Sequence, residues 1–431
     1  FLKNECLKKI LIITPHYSPS NLAAVHRSRL FAQHLPSFGW EPIILCVDER
    51  DYEENLDWNL HELIPENQHI EKVRAFPVSK PRLIGDIGLR AFFQLRHRAL
   101  DLVRDEKIDF VLIPIPSFYT SLIGPYLFRK TGVIFGIDYI DPWVHNFPGS
   151  NKMFSRHWIS TKLAKYLEPR ALKNVSLITG VAEGYYQGVI ERNPKLANNC
   201  IFGAMPYGGE KLDHEAVKKM ETVPYLFKKK ANKIQLIYAG AMLPKAYEIL
   251  ELFFQVMNEN TSVFENIEIH FIGSGKTPND ENGFNVKPYA EKYGLWENQI
   301  FEYPKRIPYL DVLVHLAGVD GVFILGSTEP HYTPSKTYQA VLSEKPIFAL
   351  LHEASTAAEI LEKTKAGKVV KINPKSLKSQ KNDFLNSFLN YITFLENFDS
   401  NNVNIEEFKA YSAEKVTAKL AQLLDKTQAL Q

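Results

Sequence analysis

The sequence predicts an α/β protein made of two consecutive Rossmann-like domains. Three observations carry this. Short apolar runs alternate with longer stretches of helical spacing; the alternation lapses near the middle and then restarts; and 431 residues are too many for one ordinary hydrophobic core. The runs are continuous in Ile, Leu and Val, not alternating, as expected of strands covered on both faces in a parallel sheet.

In the first half, strands are expected at Ile10–Ile13, Pro42–Val47, Phe110–Ile113, Val133–Tyr139 and Ser176–Thr179, with helices over Val25–Leu35 and Leu89–Arg104 between them. From about Pro206 to Asn232 the chain turns polar, with Gly208-Gly209 and Lys228-Lys229-Lys230, and reads as a linker holding at most one helix. The pattern resumes with strands at Ile234–Tyr238, Ile267–Ile272, Ile300–Tyr303, Gly321–Leu325 and Pro346–Leu350 and helices over Tyr247–Met257 and Lys336–Leu342. Apolar positions from Glu406 to Leu424 recur at helical spacing, as in a terminal helix that packs back across the domain junction. The expected division is therefore residues 1–205 as an N-terminal acceptor-side domain, 206–232 as linker, 233–405 as a C-terminal donor-binding domain and 406–431 as the closing helix.

Composition narrows the class. Hydrophobic residues make up 45% and charged residues 23%, as in a soluble globular protein. With 51 Lys and Arg against 49 Asp and Glu, the net charge of +2 gives no reason to expect a nucleic-acid partner. Cys6, Cys46 and Cys200 are widely spaced and form no CxxC, so neither a zinc site nor a disulfide framework is expected, and a reducing, cytoplasmic setting fits. Ile10–Ile13 is too short for a signal peptide, and no stretch approaches the roughly 20 apolar residues of a spanning helix.

In open parallel sheets ligands bind beyond the carboxyl ends of the strands, so two such domains facing each other enclose a cleft for a donor and an acceptor. The densest candidate is Ser327-Thr-Glu329-Pro-His-Tyr-Thr333-Pro334-Ser335-Lys336-Thr-Tyr-Gln339, directly after an apolar strand. Thr333 followed by Pro334 has the form of an N-cap and first helical residue, which points free N–H groups at an anion such as a diphosphate. Lys336 in the first turn opposes the helix dipole, a placement that makes sense beside an anion. Glu329 is suited to accept hydrogen bonds from sugar hydroxyls. Lys245, in the turn after Tyr238-Ala-Gly240, offers a second cation, and equally reads as a solvated surface lysine. Gly273-Ser274-Gly275 lets backbone approach a ligand closely. In the first half, Asp138-Tyr-Ile-Asp141-Pro142-Trp143-Val-His145 ends a strand; Asp141 fits an acceptor-site carboxylate or a turn former, and His145 an ordinary loop residue or a proton carrier. No Asp-x-Asp pair occurs, which points away from a metal-dependent transferase.

Together these segments resemble the retaining family 4 of glycosyltransferases, which have the two-Rossmann GT-B fold. The likeness rests on Ile10-Leu-Ile-Ile-Thr-Pro-His-Tyr-Ser-Pro-Ser, Asp138-Tyr-Ile-Asp-Pro-Trp, Leu177-Ile-Thr-Gly-Val-Ala-Glu, Gly273-Ser-Gly, Phe301-Glu-Tyr-Pro304 and Thr-Pro-Ser-Lys336. It implies transfer of a hexosyl group from a nucleoside diphosphate sugar, UDP- or GDP-linked, to a saccharide or lipid-linked acceptor, with retention, without metal or other cofactor, in surface polysaccharide or glycoconjugate synthesis. It places Glu329, Lys336, Lys245, Asp141 and His145 in the chemistry, and Gly240, Gly273, Ser274, Gly275, Tyr303, Pro304, Arg306, Thr333, Ser335 and Gln339 around the donor. The sequence departs from the family at Gln339, where a second glutamate is usual, and at Ala241-Met242, where an arginine is usual. A sugar-nucleotide epimerase of the same fold and a catalytically silent sugar-nucleotide-binding protein are the alternatives. Residues 80–100 mix apolar side chains with Arg82, Arg90, Arg96 and Arg98, which suits peripheral contact with anionic lipid on the inner face of a membrane as well as an ordinary surface helix.

Overall fold

The structure is a computed structural model that describes residues 7–78, 85–144, 155–330 and 334–430, apart from the side chains of Arg156 and His157. The chain forms two compact units. Residues Phe1–Tyr207 and Ala413–Gln431 make the first, and Gly208–Ser412 the second.

The first unit is built on strands β1 (Lys8–Ile13), β2 (Trp40–Val47), β3 (His69–Val73), β4 (Phe110–Ile115), β5 (Ile134–Tyr139), β6 (Leu177–Gly180) and β7 (Ile201–Ala204). They pair in parallel in the order β3-β2-β1-β4-β5-β6-β7, with Ile10 beside both Pro42 and Phe110. Ile10, Leu11, Ile12 and Ile13 are fully buried, so both faces of the central strand are covered. On one face lie helices Phe92–Asp105, Ile123–Thr131 and Arg156–Ala171, which bury Leu95, Leu127 and Ala164 against Leu11, Val111 and Phe135. Helix Ala23–His34 and the terminal helix Ala413–Ala429 cover the other, where Phe31, Leu420 and Leu424 pack on Ile10, Ile12 and Leu112.

The second unit carries β8 (Ile234–Ala239), β9 (Ile267–Ile272), β10 (Ile300–Tyr303), β11 (Gly321–Leu325), β12 (Ile347–His352) and β13 (Gly367–Ile372), parallel in the order β10-β9-β8-β11-β12-β13. Its core is aromatic: Phe253 of helix Tyr247–Glu259 meets Phe264, Phe323, Phe348 and Phe388 with ring centroids 5.6 to 6.1 Å apart.

Three strands absent from the sequence-based expectation, β3, β7 and β13, are sheet edges. An edge strand is buried less completely and lacks the continuous apolar run that marks a central one. The expected helix Leu89–Arg104 breaks at Ala91 into Ile87–Arg90 and Phe92–Asp105. The segment read as a linker contains helix Lys211–Lys219, whose buried Asp213 accepts a 2.8 Å hydrogen bond from the Tyr309 hydroxyl, and it belongs to the second unit. The stretch from Glu406 to Leu424 is two helices, Ile405–Lys409 and Ala413–Ala429, and the chain passes from the second unit to the first between them. Among the described residues no helix is long and apolar enough to cross a membrane.

Candidate functional site

Each sheet has a switch point where successive strands leave the first strand in opposite directions, between β1 and β4 in the first unit and between β8 and β11 in the second. The loops after those strands flank a crevice where an open parallel sheet takes its ligand.

In the second unit the predicted residues meet there. Gly240 follows β8 with φ of +128°, a conformation that L side chains rarely adopt, and a Cβ on it would stand 3.1 Å from Lys336 Nζ. Lys336 opens the helix that follows the loop after β11, and its Nζ lies 3.5 Å from the centroid of the Tyr238 ring at the end of β8. The residue keeps some exposed surface, but Nζ itself is sealed from solvent and has no hydrogen-bond partner among the described residues. Burial lowers the pKa of this amine from 10.5 to about 7. An unpaired buried amine sheds its charge unless an anion joins it. In the loops after the same two strands the Lys245 ammonium and the Glu329 carboxylate pair at 2.8 Å, and the Lys245 carbonyl accepts from Thr328 N–H at 3.2 Å. The loops after β8 and β11 are thus tied by three of the residues that the sequence singled out.

The helix expected to open at Thr333-Pro334 starts later. It runs Lys336–Leu342, with Ser335 at the cap position making no side-chain cap bond, and Thr333 lies outside the described residues. Seven residues make a weak dipole, so the sealed amine, not the helix end, is the feature of chemical interest.

The glycine motif after β9 has a structural use. Gly273 adopts φ of +67°, its N–H donates to the Tyr303 carbonyl, and the Gly275 N–H donates to the Pro304 carbonyl. A Cβ on Gly275 would be 2.7 Å from both Cβ and the carbonyl oxygen of Pro304, so only glycine fits. Ser274 is fully buried and its hydroxyl donates to Glu302 at 2.8 Å. Glu302, which sequence reasoning passed over, also accepts from the N–H groups of Asn285, Val286 and Lys287 at 2.9 to 3.0 Å. The Tyr303 hydroxyl sits 3.3 Å from Nδ1 of His270, a histidine whose pKa burial depresses to about 4. Arg306 places its Cγ 3.6 Å from where a Gly273 Cβ would be, and burial lowers the pKa of its guanidinium. The Gln339 carbonyl oxygen is 2.8 Å from Nε2 of His214 on helix Lys211–Lys219, so part of its amide is already engaged.

In the first unit Asp141 ends the segment after β5. It keeps exposed surface, yet desolvation of its carboxyl raises the pKa to about 6, within reach of proton exchange near neutral pH. Trp143 stacks on Phe118 from the loop after β4, with centroids 5.7 Å apart and planes 2° from parallel. His145 lies outside the described residues. Asp138 has a different role: its carboxylate takes a two-pronged ion pair from Arg27 at 2.6 and 2.9 Å and a hydrogen bond from Thr179 at 2.7 Å, all fully buried. On the loop after β1, Nδ1 of His16 lies 2.7 Å from Glu54, whose pKa falls to about 2 because His16 and Ser20 interactions outweigh its burial. Glu54 lies in the segment after β2, and nothing in its local pattern marks it.

Of the four arginines expected to face lipid, Arg82 lies outside the described residues. Arg90 is buried and donates to the Phe76 and Asp51 carbonyls, and Arg98 pairs with Glu71 at 3.0 Å. Only Arg96 remains among apolar groups, lying over the Phe93 and Tyr126 rings.

No family model matches the sequence, and no curated protein matches it. Solved structures do. HepE of Anabaena in complex with UDP matches with a TM-score of 0.61 at 13% identity, covering 97% of this chain and 100% of that one. Sucrose-phosphate synthase of Thermosynechococcus elongatus gives 0.63 at 12% identity, covering 98% and 100%. A glycosyltransferase of Rickettsia africae gives 0.60 at 16% identity, covering 98% and 99%. The chain has the GT-B fold. In GT-B terms, the unit carrying Lys336 and Glu329 is the second Rossmann-like domain, and the unit carrying Asp141 is the first.

Proposed function

We propose that this chain is a glycosyltransferase that moves a hexosyl group from a nucleoside diphosphate sugar, UDP- or GDP-linked, to a saccharide or lipid-linked acceptor. The proposal includes retention of configuration, as in family 4, and a role in surface polysaccharide or glycoconjugate synthesis. The observation that carries it is the sealed amine of Lys336 at the β8/β11 switch point, without a hydrogen-bond partner among the described residues and next to a glycine with no side chain in the way. UDP in the HepE complex supports the nucleotide part of the reading.

In this reading the bond between the anomeric carbon and the diphosphate oxygen breaks, and negative charge collects on the leaving phosphate. Lys336, protonated when the diphosphate sits beside it, neutralises that charge, and Lys245 adds a second cation once the donor competes for its pair with Glu329. Charge neutralisation is thus assigned to lysines and not to a metal. Glu329, freed from Lys245, accepts hydrogen bonds from the donor sugar. Arg306 and the Gly273 loop hold the far end of the donor. The acceptor hydroxyl oxygen forms the new bond to the anomeric carbon, and its proton goes to Asp141, whose pKa desolvation raises to about 6.

The test is turnover of Lys336→Ala with UDP- and GDP-sugars and a mixed acceptor panel. The expected loss is on the order of a hundredfold, with thermal stability retained. Undiminished transfer by the variant would sink the assignment, and conversion of donor without any acceptor would instead favour an epimerase.

A further inference from the structure

We propose that the outer face of helix Arg156–Ala171 in the first unit docks on an anionic lipid bilayer. A helix lying over a sheet ordinarily buries one face and turns a polar face to water. This one is apolar on both. Its inner side buries Ala164 and Ala171 in the sheet core, whereas Ile159, Leu163 and Tyr166 stand outward at 54%, 40% and 59% exposure. Their spacing of four and three residues lines them up along the helix, and Arg170 continues the row.

The charges on this face all have one sign. Lys162 and Lys165 flank the apolar row on the helix surface. The only carboxylate of the helix, Glu168, is turned inward, 1% exposed and paired with Arg192 at 2.8 Å. The cations lie against rings: Lys162 is 5.6 Å from the Trp158 centroid and Arg170 3.6 Å from that of Tyr166. The belt continues sideways, because helix Ile123–Thr131 packs between this helix and Phe92–Asp105. There Phe93 is 60% exposed, with Arg96 over its ring, and Arg96 and Arg129 both lie over Tyr126.

Apolar side chains that reach acyl-chain depth, aromatic rings at the boundary and cations at phosphate level are the chemistry of a headgroup interface. A second copy of the chain is a poor occupant, since pairing this face with itself would set cation against cation. Lipid contact thus centres on helix Arg156–Ala171 and takes only Phe93 and Arg96 from the 80–100 segment, whose Arg90 and Arg98 are occupied within the fold. None of these residues lies at a switch point, so the surface stands independently of the sugar-nucleotide reading.

The experiment is co-sedimentation of the full chain with phosphatidylcholine vesicles and with vesicles of phosphatidylcholine and phosphatidylglycerol in equal parts. Binding is expected to the anionic vesicles only, weakening as salt is added. The pairs Ile159→Ser with Leu163→Ser and Lys162→Glu with Lys165→Glu should each lower partition by about tenfold or more. Lys375→Glu with Lys378→Glu, exposed cations in the second unit, should leave it unchanged. The positions substituted are solvent-exposed, and an unaltered thermal melt confirms the fold. No sedimentation with anionic vesicles, or equal sedimentation of all three variants, would overturn the proposal. So would concentration-dependent dimerisation of the wild type that the Ile159/Leu163 variant abolishes.

Discussion

Lys336 and Asp138 are both charged groups withdrawn from water, and they show how differently such groups are used. Asp138 is fully satisfied, by two bonds from Arg27 and one from Thr179, and its surroundings close over all three. Removing one partner of a buried pair strands the other charge, so Asp138→Ala should lower stability by about 3–5 kcal/mol, read from denaturant unfolding. A loss below about 1 kcal/mol would mean that Arg27 finds another partner or water. Lys336 has the opposite status, sealed and without a hydrogen-bond partner among the described residues. The sequence singles it out as a cation placed where a helix begins, but its burial was not visible there. Asp138 was legible only as part of a strand-end segment, since its partner stands 111 residues away and no local spacing reveals the pair.

At the level of elements, the loop between β9 and β10 is held by a single carboxylate. Glu302 gathers the Ser274 hydroxyl and three successive N–H groups at the start of helix Lys287–Lys292. Glu302→Ala should leave those donors without an acceptor and cost about 2 kcal/mol or more, measured as a lowered midpoint of thermal or denaturant unfolding. An unchanged midpoint would show that the loop repacks. The glycine pattern Gly273-Ser-Gly275 was visible in the sequence, but spacing alone does not distinguish a phosphate cradle from a turn that must pass under Pro304. The central strands were readable for a physical reason: burial on both faces demands an unbroken apolar run. Three of the four edge strands, β3, β7 and β13, escape that demand and escape detection, whereas the fourth, β10, was expected at Ile300–Tyr303. The segment of helix Lys211–Lys219 looked like a linker for a similar reason, because its tie to the fold runs through polar contacts, Asp213 to Tyr309 and His214 to Gln339.

Across the whole molecule, two parallel sheets of seven and six strands, each with one switch point, give two places for ligands. The residues brought together in the second unit have a defined chemistry, with two lysines, a glutamate and an open glycine. In the first unit the loop after β5 carries Asp141 and Trp143, a titratable carboxyl and an aromatic wall, and the loop after β1 separately carries the His16–Glu54 pair. The central claim is that the Lys336 site takes a nucleoside diphosphate. Its most direct test is the thermal unfolding of the full chain with UDP, GDP, ADP and CMP, for the wild type and for Lys336→Met. A ligand at a hundred times its Kd stabilises the folded state by about 2.7 kcal/mol. UDP or GDP should raise the wild-type midpoint, and Lys336→Met, folded and unliganded, should lose most of that rise. No response to any of the four nucleotides, or an equal rise in the variant, would contradict it.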